Sequence, residues 1–298
     1  MNPKPQAASL APRAASVHAR LLNRARERRE DFNLLLSRYA VERLLYRLSI
    51  SGAQSQFVLK GALLFDLWFN VSHRPTRDAD LLGLGPADVV VLTDTMRAVC
   101  VVETDDGMVY DPGTVTATEI REEANYGGLR VKMQGLLGNA RCPVQLDVGY
   151  GDAVTPGPDT VDLPSLLDDL PPPHLQVYPR ETVVAEKLEA IVSLGMINSR
   201  MKDYFDLHAL LREQATDSGN LARAVSATFQ RRGTPLPPDL PVGLTREFAL
   251  DSRKQAQWMA FLKKNRLESP PLEDVIISLA DWLMITVNNA RTLQGREP

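Results

Sequence analysis

The sequence predicts an α+β protein, with a mixed sheet and flanking helices in the N-terminal half and an α-helical bundle in the C-terminal half. Three observations carry this. Short apolar or alternating runs of strand length (FVLKG, DADLLG, TVTATEI, RCPVQLDVGYGD) all fall before residue 153. Between them lie stretches with helical periodicity. After Tyr178 only the helical pattern persists. A chain of 298 residues with 44% apolar and 24% charged residues holds one large domain or two ordinary ones around a substantial core.

Taken in order, residues 1–15 are rich in Ala, Pro and Ser and are expected to form a mobile tail. From Val17 to Leu48 a stripe of Phe32, Leu35, Leu36, Tyr39, Leu45 and Leu48 predicts helix. Phe57–Gly61 reads as a buried strand ending at a glycine, Ala62–Asn70 as a core helix, and Asp78–Gly83 as the next strand. Ala87–Cys100 fits a helix, although its valine run also suits a strand. Thr114–Gly151 has strand character in three runs, and in the last Gln145 and Asp147 share a face opposite Val144, Leu146 and Val148. The proline-rich stretch Val154–His174 is the expected boundary, giving a mixed α/β domain over 16–165 and a helical domain over 166–298. In the latter, helices are expected over Thr182–Gly195, Asn198–Glu213, Leu221–Arg231, Asp251–Asn265 and Leu272–Leu293.

Composition excludes several classes. No run approaches eighteen apolar residues, so no membrane-spanning helix is expected, and the N-terminal stretch lacks the apolar core of a secretory signal. Cys100 and Cys142 have no metal-ligand spacing and sit in apolar segments, as expected of buried thiols in a cytoplasmic protein. A net charge of −3 gives no global argument for nucleic acid. Two local stretches are basic: Arg24–Glu30, and Arg253–Arg266 with Trp258 and Phe261 interleaved. Each reads equally as a polyanion track or as a solvated helix face with snorkelling side chains.

Four constellations could carry chemistry. Gly61 ends a strand and opens a helix, where N–H groups could meet phosphate, or where the chain simply turns. In HRPTRDADLLG, Asp78 and Asp80 alternate along a strand and share a face. Two such carboxylates suit Mg²⁺ with substrate phosphates, and equally a solvated strand end. Asp147 is a third strand acid, fit for a general base, a further metal ligand or a hydrogen-bonded structural role. Glu186-Lys187 and the set Arg200, Lys202, Asp203 and Asp206 lie on helices. Arg200, Asp203 and Asp206 recur every three residues along one side, as intrahelical salt bridges or as a phosphate-orienting set.

The joint order of KGA (Lys60–Ala62), RPTRDAD (Arg74–Asp80), QLDVGYGD (Gln145–Asp152), VAEKLEAI (Val184–Ile191) and RMKDYFDL (Arg200–Leu207) resembles the AbiEii/AbiGii toxin family of the polymerase β-type nucleotidyltransferase superfamily. The resemblance implies a nucleotidyltransferase-type sheet over 16–165 and a helical domain over 166–298 that completes the active-site cleft. It implies that Asp78 and Asp80 bind two Mg²⁺ ions holding a nucleoside triphosphate, with Asp147 as base or additional ligand. Lys60, Gly61, Ala62, Arg74 and Thr76 would shape the nucleotide site, Lys187 would contact the phosphates, and Arg200, Lys202, Asp203 and Asp206 would complete it. Gly61-Ala62 departs from the Gly-Ser or Gly-Gly of the wider superfamily, which leaves only backbone N–H groups for the phosphate. The implied function is the toxin of a toxin–antitoxin pair that transfers NMP from an NTP to the 3′ end of tRNA and blocks translation. A separate antitoxin protein is the implied partner, in some systems acting through phosphorylation beside the metal aspartates, here at Thr76. The alternatives are nucleotidylation of a protein or small-molecule hydroxyl, or a catalytically weak nucleotide- or antitoxin-binding module.

Overall fold

A computed structural model describes residues 6–69, 73–121, 127–213 and 216–295. The chain divides into two compact units, Met1–Gly151 with Thr160–Val177, and Asp152–Asp159 with Tyr178–Pro298.

The first unit opens with α1 (Gln6–Arg28), which begins inside the stretch expected to be a tail; residues 1–5 lie outside the described residues. Alanine has the highest helix propensity, and the buried stripe Ala14, Val17, Leu21 and Ala25 recurs at helical spacing. The single helix expected from Val17 to Leu48 is interrupted at Arg29, whose φ is +55°. The second helix, α2 (Phe32–Ser49), then starts under Asp31, whose carboxylate accepts from the Leu34 N–H at 2.8 Å. Next come β1 (Phe57–Lys60), α3 (Leu63–Phe69) and β2 (Asp78–Gly83). Asn70, the end of the expected core helix, lies outside the described residues. The valine run is helical, α4 (Val89–Cys100), because Asp88 caps it by accepting from the N–H groups of Val90 and Val91 at 2.8 and 2.9 Å.

The expected strand region starts earlier than Thr114, as β3 (Met108–Arg121), and continues as β4 (Gly127–Leu137) and β5 (Ala140–Tyr150), paired antiparallel. Two further strands appear: β6 (Asp159–Asp162) lies in the proline-rich stretch read as a boundary, and β7 (His174–Val177) starts at its last residue. The sheet order is β3-β4-β5-β2-β1-β7-β6, with β2 parallel to β5 and antiparallel to β1, and β1 parallel to β7. One face carries the core with α2. That helix also buries charge: Arg47 donates to both oxygens of Asp106 at 2.6 and 3.0 Å, a bidentate pair almost wholly removed from water.

The second unit contains α5 (Arg180–Leu194), α6 (Met201–Glu213), α7 (Ser218–Arg232), α8 (Arg246–Leu250), α9 (Ser252–Asn265) and α10 (Leu272–Gln294). Val184, Leu188 and Ile191 of α5, Val225 and Phe229 of α7, and Val275, Leu279, Leu283 and Val287 of α10 form its core. The short α8 follows the proline run Thr234–Gly243 and was not foreshadowed by periodicity, since five residues span little more than one turn. Segment 152–159 is tied into this unit by a reciprocal pair, the Thr155 N–H donating to Thr182 Oγ1 and Thr182 donating to the Thr155 carbonyl. Among the described residues no helix is long and apolar enough to cross a membrane.

Candidate active site

Along β2 the side chains alternate: Asp78 and Asp80 are half-buried, while Ala79 and Leu81 are buried on the other face. The strand pairing extends this polar face sideways. Asp80 is in register with Asp147 of β5 on one side and with Lys60 of β1 on the other, and Asp147 is in register with Arg130 of β4. Directly opposed residues point to the same side of a sheet, so Lys60, Asp80, Asp147 and Arg130 form one row across four strands. A second row, one residue pair along, holds Asp78, Gln145 and Lys132. Acids occupy the middle of this face and cations its margins.

Contacts around the acids differ. Thr76 Oγ1 donates to Asp78 Oδ1 at 2.8 Å. Gly61, at φ +80°, lies against Asp80: a Cβ built there would stand 2.0 Å from Asp80 Oδ2. Glycine is therefore required twice, by the left-handed backbone and by the carboxylate it touches. Ala62, next in the turn, is buried, and Arg74 is half-buried just before β2. Asp147 accepts from Arg130 Nε at 2.8 Å and Nη2 at 2.7 Å, and from Gln145 Nε2 at 3.3 Å. The hydrogen bond to Asp147 is the main influence holding the Arg130 guanidinium above its ordinary pKa, and the charges of Asp78 and Asp80 act in the same direction.

Among the described residues no cluster of three or more His, Cys, Asp or Glu side chains is arranged to hold a metal ion by itself. Asp78 and Asp80 do fit a hard divalent cation of the kind that takes one or two carboxylates and completes its shell with substrate phosphates and water. Their donors are oxygens, they share one face, and both are half-exposed.

In the second unit, Lys187 Nζ donates to Asp203 Oδ1 at 2.7 Å and Asp206 Oδ2 at 2.8 Å, and Arg200 Nε donates to Asp203 Oδ2 at 2.6 Å. Both carboxylates are fully buried. Burial pushes the Asp203 carboxyl up, but Lys187, Arg200 and Lys202 outweigh it and hold the group below its ordinary value. Lys202 itself is exposed. Asn198 Oδ1 accepts from the Arg200 N–H, and buried Lys254 of α9 donates to the Asn198 carbonyl at 2.8 Å, so the start of α6 is held from two sides. Glu186, beside Lys187, lies with Glu189 and Asp152 around Arg232 of α7, at 3.5, 2.8 and 3.2 Å.

The structure thus gathers Lys60, Gly61, Thr76, Asp78, Asp80 and Asp147 within the first unit, and Lys187, Arg200, Asp203 and Asp206 within the second. Arg130, Lys132 and Arg232 were not anticipated. Arg130 and Lys132 alternate along GGLRVKMQ, which marks a shared strand face, but only the β4–β5 register pairs them with Asp147 and Gln145. Of the two basic stretches, Arg253–Arg266 forms most of α9; Trp258 is buried and stacks on Phe261, so the indole is turned into its own unit and not toward a nucleobase. In the other, Arg24 Nη1 donates to the Leu166 carbonyl at 2.6 Å.

The family described as nucleotidyl transferase AbiEii toxin, of a type IV toxin–antitoxin system, matches residues 43–283. No curated protein matches the chain by sequence. Two solved structures are similar. One is described as a candidate nucleotidyltransferase from Helicobacter pylori, with a TM-score of 0.46 and 15% identity over 84% of this chain and 93% of that one. The other is JHP933 from Helicobacter pylori, with a TM-score of 0.45 and 14% identity over 85% of this chain and 91% of that one.

Proposed function

Because the chain belongs to the AbiEii family of nucleotidyl transferase toxins of type IV toxin–antitoxin systems, we propose that it is a Mg²⁺-dependent enzyme that moves NMP from an NTP to the 3′ end of tRNA. The observation that supports this best is the face of β2, where Asp78 and Asp80 stand together and the Gly61 turn packs against Asp80. Divalent cations held there would offset the charge on the attacking and leaving oxygens.

In the proposed reaction the 3′-hydroxyl oxygen bonds to the α-phosphorus and the bond from that phosphorus to the bridging β-oxygen breaks. Pyrophosphate leaves with that electron pair, and the hydroxyl proton passes to a carboxylate of the acidic face. Gly61 lets the backbone approach without a side chain, and the N–H groups of the turn into α3 are the donors available to a phosphate, since Ala62 has no hydroxyl. Thr76 fixes the orientation of Asp78. For Lys187, Arg200, Lys202, Asp203 and Asp206 a part in the same reaction follows from the family resemblance, and Lys187→Met tests it directly. The antitoxin is a separate partner protein; phosphorylation of Thr76 would place a dianion beside Asp78 and disable the pair.

Incubation with total tRNA, Mg²⁺ and each α-³²P-labelled triphosphate in turn should transfer label to RNA with at least one nucleotide, and Asp80→Ala should abolish it. Label on no RNA with any of the four discards tRNA as the acceptor.

A further inference from the structure

Asp147 stands beside Asp80 by strand register, yet its contacts set it apart from Asp78. Its two oxygens receive the two parallel N–H groups of Arg130 at 2.8 and 2.7 Å, and Gln145 adds a third donor at 3.3 Å. A carboxylate offers about four lone-pair sites, and here three are taken by donors, two of them on a cation. A metal ion approaching the same oxygens would meet the positive N–H edge of the guanidinium. Asp78, in contrast, accepts from the neutral Thr76 hydroxyl.

Arg130 spends two of its roughly five N–H donors on Asp147, and its side chain keeps 36% of its exposure. One strand, β5, separates it from Asp80, so they lie two strand spacings apart, a lateral distance on the order of 10 Å. Lys132 stands exposed in the neighbouring row, in register with Gln145 and so two strands from Asp78. On β3, the next strand, Thr116 and Thr118 continue the two rows as exposed hydroxyls. The face therefore runs from acids through cations to neutral hydroxyls, and a phosphate chain held at the acids and extended along the rows would reach the cations on the order of 10 Å away.

We infer that Asp147 is the anchor of Arg130 and not a metal ligand, and that Arg130 with Lys132 forms a cationic margin that takes a phosphate oxyanion of the substrate. This rests on the nucleotidyl-transfer reading of the same face. Fixing a planar guanidinium by a bidentate carboxylate leaves its remaining donors in a set direction, which a freely rotating surface arginine lacks. The oxyanion belongs either to the NTP or to the backbone of the RNA acceptor.

The test measures binding by calorimetry, without turnover. Mn²⁺ is titrated into the wild type, Asp147→Asn and Asp80→Asn; a non-hydrolysable NTP with Mg²⁺, and separately tRNA, are titrated into the wild type, Arg130→Ala and Arg130→Gln. Asp147→Asn should hold Mn²⁺ as the wild type does, while Asp80→Asn loses it. Both Arg130 variants should lose about tenfold in affinity for one of the two phosphate ligands. Loss on the NTP arm identifies the triphosphate. Loss on the tRNA arm, with a salt slope reduced by about one, identifies the acceptor backbone. Asp147→Asn in the Arg130→Ala background should add little, because the anchor then has nothing to hold. The inference is overturned if Asp147→Asn weakens Mn²⁺ as much as Asp80→Asn, or if both Arg130 variants bind both ligands like the wild type. Wild-type protein that binds neither cation nor nucleotide overturns the nucleotidyl-transfer reading itself.

Discussion

The two units each gather carboxylates and cations, but in opposite ways. On the β2 face the acids are half-exposed, their cationic neighbours stand at the margins, and Asp78 leans on a hydroxyl. In the α5–α6 network Asp203 and Asp206 are wholly buried and share Lys187 between them, with Arg200 closing the set. A buried charge must be compensated within the protein or the fold loses stability. A pair of carboxylates that keeps contact with solvent is under less of that demand. The first arrangement suits chemistry on a ligand; the second first of all suits holding a lysine in a fixed place.

That contrast can be broken from either side. The largest effect should come from Asp80→Ala: loss of a cation ligand removes several kcal/mol of transition-state stabilisation, about a thousandfold in kcat. The melting temperature should barely change, and label transfer alongside thermal denaturation checks both. Asp203→Ala should do the reverse in kind. It takes the buried counter-charge from Arg200 and one of two from Lys187, which keeps Asp206, and should cost about 3 kcal/mol of stability, read from denaturant midpoints. A melting profile indistinguishable from the wild type would refute the holding role.

Gly61→Ala is intermediate. The left-handed backbone costs about 1–2 kcal/mol for an L-residue, and the new methyl must displace the Asp80 carboxylate. Activity should therefore fall further than stability does, which parallel kinetic and melting curves would reveal. Thr76→Val should be milder, about tenfold in kcat for one lost hydrogen bond, while Thr76→Glu, adding a like charge beside Asp78, should be worse than Val. Equal rates for the two would remove the case for regulation at Thr76. The smallest effect concerns pH. The folded Asp203 carboxyl lies below its ordinary value of 3.8, so its contribution is complete above that value and is lost as pH falls through the lower, folded one. Melting temperatures from pH 7 down to about 5 should show no decline that Asp203→Asn removes.

Much of the first unit was legible because its signals are local. DADLLG alternates and is a strand over the same six residues, and the Gly61 stop follows FVLK directly. Arg200, Asp203 and Asp206 were singled out by their three-residue spacing, and Arg200–Asp203 is an ion pair at that spacing, while Lys187 joins both acids from another helix. What stayed hidden depends on register or on distant segments. The Arg130–Asp147 pair joins residues on neighbouring strands, and a shift of one residue would put them on opposite faces. Arg232 meets Asp152 across a sequence separation of 80 residues, a contact that no local window of the chain contains. The strands β6 and β7 were missed because four residues among prolines carry no periodicity.

The route of the chain through residues 152–177 has a consequence for synthesis and dissection. Eight residues of the helical unit are made before the last strands of the sheet unit, so neither body is complete when the ribosome first passes from one to the other. No single cut yields both bodies whole: cutting after Gly151 takes β7, the parallel neighbour of β1, from the sheet unit, and cutting before Tyr178 takes Asp152, a partner of Arg232, from the helical unit. A cut anywhere in this interval should leave at least one fragment that needs its missing piece restored, by co-expression or by a circularly permuted order, before both behave as independent cooperative units.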